Sequence, residues 1–155
     1  MLYKLVSQLL CNRISKVLIP QQSPEQAAYR AGFSTTDHLL TMVLLQEKVN
    51  EWRHEYWFCL VDFEKAFDTI EHEALWKCLK DQNVQEEYIF LLRKLYEGQA
   101  AYLRTNVGSR NFRLFRGVKQ GDPLSAILFI AVMECCMRNL KARRSRLSRL
   151  TGVRT

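Results

Sequence analysis

Asp62 closes the apolar run Phe58, Cys59, Leu60, Val61, and an aromatic and a second acid follow at Phe67 and Asp68. No Lys or Arg stands directly beside it to neutralise its charge. Carboxylate oxygen is the ligand that hard divalent cations prefer, so a metal ion is one natural partner. An ordinary strand followed by a helix cap is the other reading, and the segment alone leaves both open. A second cluster runs from Arg116 to Ser125 and places Lys119, Gln120 and Gly121 on a turn before Pro123. Glycine lets backbone come close to a ligand, lysine can meet a phosphate, and proline suits the first turn of a new helix. A polar, turn-rich stretch from Gln21 to Gly32 carries a third candidate, the cation Arg30.

These groups need elements to hold them. Leu60 and Val61 lack polar alternation, which predicts a strand buried on both faces with Asp62 at its end. Apolar residues from Leu2 to Leu18 recur at helical spacing and stop before Pro20. Ser34 to Thr36 suit a helix start with Asp37 in the first turn, running toward Trp52. Asp68 and Glu71 predict a capping box for a helix through Ala74, Leu75, Cys78 and Leu79. Another helix holds Tyr88, Ile89, Leu92 and Leu95 and ends at Gly98. Residues 100–107 and 111–115 predict a hairpin turning at Gly108 and Ser109. The helix after Pro123 aligns Leu124, Ile127, Leu128, Ala131 and Cys135 on one face.

The sequence of 155 residues is 48% hydrophobic and 25% charged, which suits one globular domain and argues against disorder. A net charge of +7 favours an anionic partner, nucleic acid or an acidic membrane surface. No apolar stretch reads as a membrane span, no signal peptide is visible, and no membrane partner is expected. The five cysteines have no CxxC spacing, so reduced, mostly buried thiols in an intracellular protein are expected. His38, His54 and His72 read as surface or helix-flank residues. Arg138, Lys141, Arg143, Arg144, Arg146, Arg149 and Arg154 crowd the C-terminal end without an acid among them. They can grip phosphates or simply solvate a helix end, where cations oppose the helix dipole.

Three segments together resemble the reverse transcriptase (RNA-directed DNA polymerase) domain of non-LTR, LINE-type retrotransposons. VDFEKAFD (61–68) is similar to that family's first palm motif and GVKQGDPLS (117–125) to its second. The stretch from Gln26 to Leu39 is similar to a fingers motif of the form Gly-Phe-Arg-x-Gly-x-Ser-Thr, with Ala28 and Tyr29 where Gly and Phe are common. Ala126 stands where the family often has Pro. The order and separations match, so the likeness covers nearly the whole chain.

The resemblance implies an α+β fold, a right-hand palm and fingers fragment whose small antiparallel sheet is covered by helices. It divides residues 1–155 into a fingers-like part (1–56), a first palm motif (57–72), connecting helices and hairpin (73–115), a second palm motif with its helix (116–142) and a basic tail (143–155). It implies that Asp62 ligates two Mg²⁺ ions, Mn²⁺ being possible, with the Phe63 carbonyl adding an oxygen. Two-metal sites in polymerases clamp the entering and leaving oxygens of phosphoryl transfer. Phe67 would be a steric gate against a ribose 2′-hydroxyl, or else a core aromatic. Gln120 and Gly121 would lie by the nucleotide and template base, Lys119 by a phosphate, and Arg30 by the template backbone or triphosphate. Implied partners are an RNA template, a DNA primer and a dNTP.

The family's third palm motif, an aromatic-Ala-Asp-Asp hairpin, has no counterpart, since the sequence holds no Asp-Asp pair and Glu134 is the only acid after Asp122. The expectation is therefore a fragment truncated at both ends, inactive alone, with an unpaired sheet edge. The competing reading is a non-catalytic nucleic-acid-binding remnant that uses its basic surface.

Overall fold

The computed structural model describes residues 2–106 and 108–151, with the side chains of 145 and 147–151 left aside. Five helices and one hairpin make an α+β chain: α1 (Leu2–Leu18) with a 3₁₀ turn (Ile19–Gln21), α2 (Thr35–Trp52), α3 (His72–Asp81), α4 (Glu86–Tyr96), β1 (Ala100–Thr105), β2 (Gly108–Arg113) and α5 (Pro123–Thr151).

The core forms where helical periodicity puts apolar residues on one side. In α1 the buried positions are Ser7, Leu10, Ile14 and Leu18, spaced three or four apart. That stripe packs on α5, whose Leu124, Leu128 and Ala131 are fully buried. The α3 stripe of Leu75, Trp76 and Leu79 takes the next side of α5, and Ile89, Leu92 and Tyr96 of α4 complete the cluster. By length and composition, Pro123–Arg144 of α5 is apolar enough to cross a membrane, which a simple reading of apolar runs misses. Its inward face is the centre of this core, and among its residues is the buried acid Glu134.

α2 begins as its sequence predicts. Ser34 accepts from the Thr36 amide and Asp37 accepts from the Ser34 amide, a reciprocal capping box. Yet none of its residues is buried, and among the described residues it packs extensively on no other element.

Several expectations need correction. Residues 54–63 form no strand: Leu60 is 88% and Val61 70% exposed. Strand pairing is non-local, and no strand lies beside this segment among the described residues to take its hydrogen bonds. The only sheet there is the β1–β2 hairpin, which is exposed and not covered by helices. It closes at Thr105↔Gly108, so Gly108 and Ser109 belong to β2 and the turn is earlier, partly outside the described residues. α3 starts at His72, with Glu71 as an N-cap that makes no side-chain bond, so Asp68 caps nothing. His72 is half-buried, bonded through Nε2 to the Gly117 carbonyl at 2.9 Å. Of the cysteines, Cys59 and Cys136 are exposed and Cys11, Cys78 and Cys135 half-buried.

Candidate nucleotide site

The two motif segments are joined by backbone. The Val118 amide donates to the Phe67 carbonyl at 2.8 Å and the Gly117 amide to the Ile70 carbonyl at 2.7 Å. A bridge between Glu71 and Arg116 continues the pairing. Gly117 makes the approach possible: its φ is +91°, and a Cβ there would lie 2.9 Å from the Asp68 carbonyl oxygen. Held this way, Gln120 Nε2 donates to Asp68 Oδ1 at 3.1 Å, a contact between the first and second motifs.

Asp122 fixes the other side of the turn. Its Oδ1 accepts from the Leu124 amide at 3.2 Å, capping α5 just ahead of Pro123. The buried Ser7 hydroxyl also donates to Oδ1, and the Tyr3 hydroxyl donates to Oδ2 at 2.6 Å. Two residues of α1 thus hold the cap of α5. Burial pushes the Tyr3 phenol well above its ordinary range, and the Asp122 carboxylate reinforces the shift by hydrogen bonding and by charge. Burial likewise raises Tyr96. Lys119 Nζ sits over the Tyr3 ring, 4.0 Å from its centroid.

Between these supports lies an open cavity of about 490 Å³, lined by Tyr29, Phe67, Gln120, Gly121, Asp122, Ser125 and Ala126. The Phe67 ring stacks on Phe129 of α5 with centroids 4.7 Å apart. Tyr29, at a left-handed φ of 55°, meets Phe67 edge-on at 6.3 Å. Phe67 is therefore neither a pure core ring nor a loose one: one face is packed and its edge reaches the cavity.

Three of the sequence-predicted residues, Phe67, Gln120 and Gly121, share this cavity, and Lys119 stands beside it. Asp62 and Phe63 do not line it. Asp62 is exposed and has no hydrogen bond or ion pair among the described residues, while Asp68 and Asp122 spend carboxylate oxygens on protein donors. No cluster of three or more His, Cys, Asp or Glu side chains suits a metal ion among the described residues. One free carboxylate does not fit a two-ion site. Arg30 serves its own loop, donating from Nη1 to the Ser23 and Gln26 carbonyls and stacking over Phe33 at 4.4 Å.

The basic C-terminal cluster is partly committed as well. Arg138 bonds the buried Glu134 at 2.8 Å and the Gln21 carbonyl at 2.6 Å, and Lys141 pairs with Glu25 at 3.1 Å. Glu134 also accepts from the Ser23 amide, so α5 holds the loop that carries Tyr29. Arg154 lies outside the described residues. Sequence reasoning missed Tyr29 and Asp122 as parts of the site. An Asp directly ahead of a Pro that opens a helix is a legible cap; nothing local signals Tyr29.

The family model for reverse transcriptase (RNA-dependent DNA polymerase) matches residues 1–150. The chain is 32% identical over 70% of its length to the Retrovirus-related Pol polyprotein from the type-2 retrotransposable element R2DM of Drosophila melanogaster, covering 11% of that protein. It is 33% identical over 86% of its length to a type-1 R2 Pol polyprotein of Nasonia vitripennis, covering 13%, and 28% identical over 91% to one of Popillia japonica, covering 20%. The chain thus spans between about a tenth and a fifth of the length of these curated relatives. No solved structure matches it. A family model matched almost throughout, over motifs that the backbone joins at one cavity, means that the chain belongs to the reverse transcriptase family, as a domain of the non-LTR retrotransposon kind.

Proposed function

We propose that this chain is a palm-and-fingers portion of an RNA-directed DNA polymerase and that its cavity receives the incoming deoxynucleotide. The observation that carries this reading is the meeting of Phe67 with Gln120 and Gly121 around one hollow. Phe67 is backed by Phe129 and cannot retreat without losing that stack, so its edge presents a fixed wall to the sugar. A ribose 2′-hydroxyl against that wall clashes, and rejection by clash is an economical route to selectivity. Gly121 leaves its backbone open to close approach, and Lys119 supplies positive charge for a phosphate. Asp68, by holding the Gln120 amide, orients it over the hollow.

Divalent metal chemistry belongs to the family. Of the carboxylates, Asp62 is the one we assign to it, with the Phe63 carbonyl beside it. The RNA template, DNA primer and dNTP are the partners this reading carries, with residues 1–56 as fingers and 57–72 and 116–142 as the two palm motifs. Arg30 shapes the loop that bears Tyr29, and it is the residue we assign to the template contact. Because the 155 residues contain no Asp-Asp pair, they are expected to give no template-dependent extension of a primer in Mg²⁺, and clear incorporation by the purified chain overturns that point.

The direct test is nucleotide binding. Amide chemical-shift mapping with dGTP and GTP in Mn²⁺-free buffer should place dGTP at residues 67 and 117–126, with GTP weaker. Phe67→Ala should bring the two affinities together, a loss of discrimination of about 10-fold or more. Equal binding of both nucleotides by the unaltered chain, or shifts confined elsewhere, sinks the assignment.

A further inference from the structure

Between Glu97 and Asp122 the chain carries Arg104, Arg110, Arg113, Arg116 and Lys119 and not one acid. None of these five cations forms an ion pair among the described residues, whereas Arg138 and Lys141 of the C-terminal cluster both do. The strand register decides where they point. Ala100↔Arg113, Tyr102↔Asn111 and Arg104↔Ser109 are cross-strand partners two residues apart, so Tyr102, Arg104 and Arg113 share one face of the hairpin. Tyr102 is 75% exposed on that face. Arg113 also opens onto a second cavity, of about 380 Å³, at the hairpin's base, lined as well by Phe115, Arg116, Gly117 and Lys119. Phe115, 79% exposed, stands there without a ring partner among the described residues. Asp68, the one acid in this lining, is already held by Gln120.

Cations in a row with aromatic rings between them are the chemistry of a single nucleic-acid strand: phosphates meet the charges, and unpaired bases stack on the rings. A duplex, whose base faces are already stacked, has no use for the rings. We propose that the Tyr102–Arg104–Arg113 face and the cavity of Phe115, Arg116 and Lys119 form a track for one nucleic-acid strand, leading to the Gln120–Gly121 turn. This rests on the reading that the chain handles nucleic acid, and it names the surface and the class of strand. Recognition runs through phosphates and base faces. A two-stranded hairpin exposed on both faces is marginal in water, and a bound strand supplies the partner it lacks.

The test uses the 155-residue chain, fluorescein-labelled dT12 and U12, and a 12-base-pair duplex, followed by anisotropy between 50 and 200 mM salt. Four phosphate contacts on a single strand, one per cation of the track, give a salt slope near −2.8, so affinity should fall about 50-fold across that range. Arg113→Gln with Arg116→Gln should cut the slope by about 1.4. Phe115→Ala should weaken both strands about 5- to 100-fold and leave the slope unchanged. Arg143→Gln with Arg144→Gln should leave binding as it was, and far-ultraviolet circular dichroism checks that every variant keeps its helices. Duplex bound as tightly as single strands, an indifferent Phe115→Ala, or binding lost through the α5 pair overturns the proposal. The dGTP affinity of the same samples separates the two readings. A chain that takes dGTP but no strand defeats the track alone, and one that takes strands but does not tell dGTP from GTP defeats the cavity alone.

Discussion

A methyl group on Gly117 would meet the Asp68 backbone 2.9 Å away, at a φ of +91° that side chains rarely adopt. Backbone cannot yield as a flexible side chain would, so Gly117→Ala must separate the two motif segments or strain them. The expected loss is about 1–3 kcal/mol in urea denaturation, together with weaker dGTP binding. Asp122 carries a different burden: it caps α5 and takes the hydroxyls of Tyr3 and Ser7. Asp122→Ala removes the cap and leaves the fully buried Ser7 hydroxyl without its acceptor, an expected loss of about 2–3 kcal/mol. The Tyr3 phenol adds a pH signature. An unfolded tyrosine gives up its proton near pH 10, while the folded chain holds it to higher pH. Stability is therefore full below pH about 10 and falls as pH rises above it, and Tyr3→Phe should flatten that fall in melts between pH 9 and 11. A slope unchanged by Tyr3→Phe assigns it to another group. Only the cap at Asp122 was readable locally; the long-range links were not, since Asp68 and Gln120, for example, are 52 residues apart and their residue types alone suggest a cap and a turn.

At the scale of elements, what was legible was what is local. Helix periods and caps depend on neighbours within a turn or two, so α1, α2, α4 and α5 lie where apolar spacing, Ser34, Gly98 and Pro123 put them. Residues 57–62 failed because an apolar run takes β-structure only beside other strands, and none lies there among the described residues. The same contrast predicts the dynamics. α5 is gripped by α1 and α3, whereas α2 is held mainly by its own backbone bonds, its capping box and side-chain contacts within the helix such as Lys48–Glu51. An isolated helix of α2's 18 residues is marginal in water. Amide hydrogen exchange should therefore run through α2 orders of magnitude faster than through the buried turns of α3 and α5. Leu128→Ala, at the centre of the core, should cost about 2–5 kcal/mol while leaving α2 exchange unchanged. Equal protection of α2 and α5 contradicts the contact pattern.

Over the whole molecule, apolar surface is distributed unevenly. The helical core closes over Leu75, Leu79, Leu92 and Leu124, while Leu39, Leu40, Val43 and Leu44 of α2 and Trp57, Phe58, Leu60 and Val61 after it are exposed. Water penalises exposed apolar surface in proportion to area, so side chains exposed in such number favour association. The apolar segment 57–61 adds backbone donors and acceptors that are unpaired among the described residues, a template on which a second chain can lay a strand. Two consequences are measurable. Cys59 sits in that exposed segment, while burial pushes the Cys78 thiol up to about 12, so maleimide at pH 8 should label Cys59 well before Cys78. Sedimentation velocity should show concentration-dependent association despite the net charge of +7, which by itself would keep copies apart. If the patch drives association, Leu60→Glu with Val43→Glu should return the chain to a monomer and slow nothing in Cys78 labelling. Hairpin variants such as Arg113→Gln leave the patch intact and should associate as before. Association abolished by the hairpin change, or untouched by the two glutamates, would show that the copies meet through a different surface.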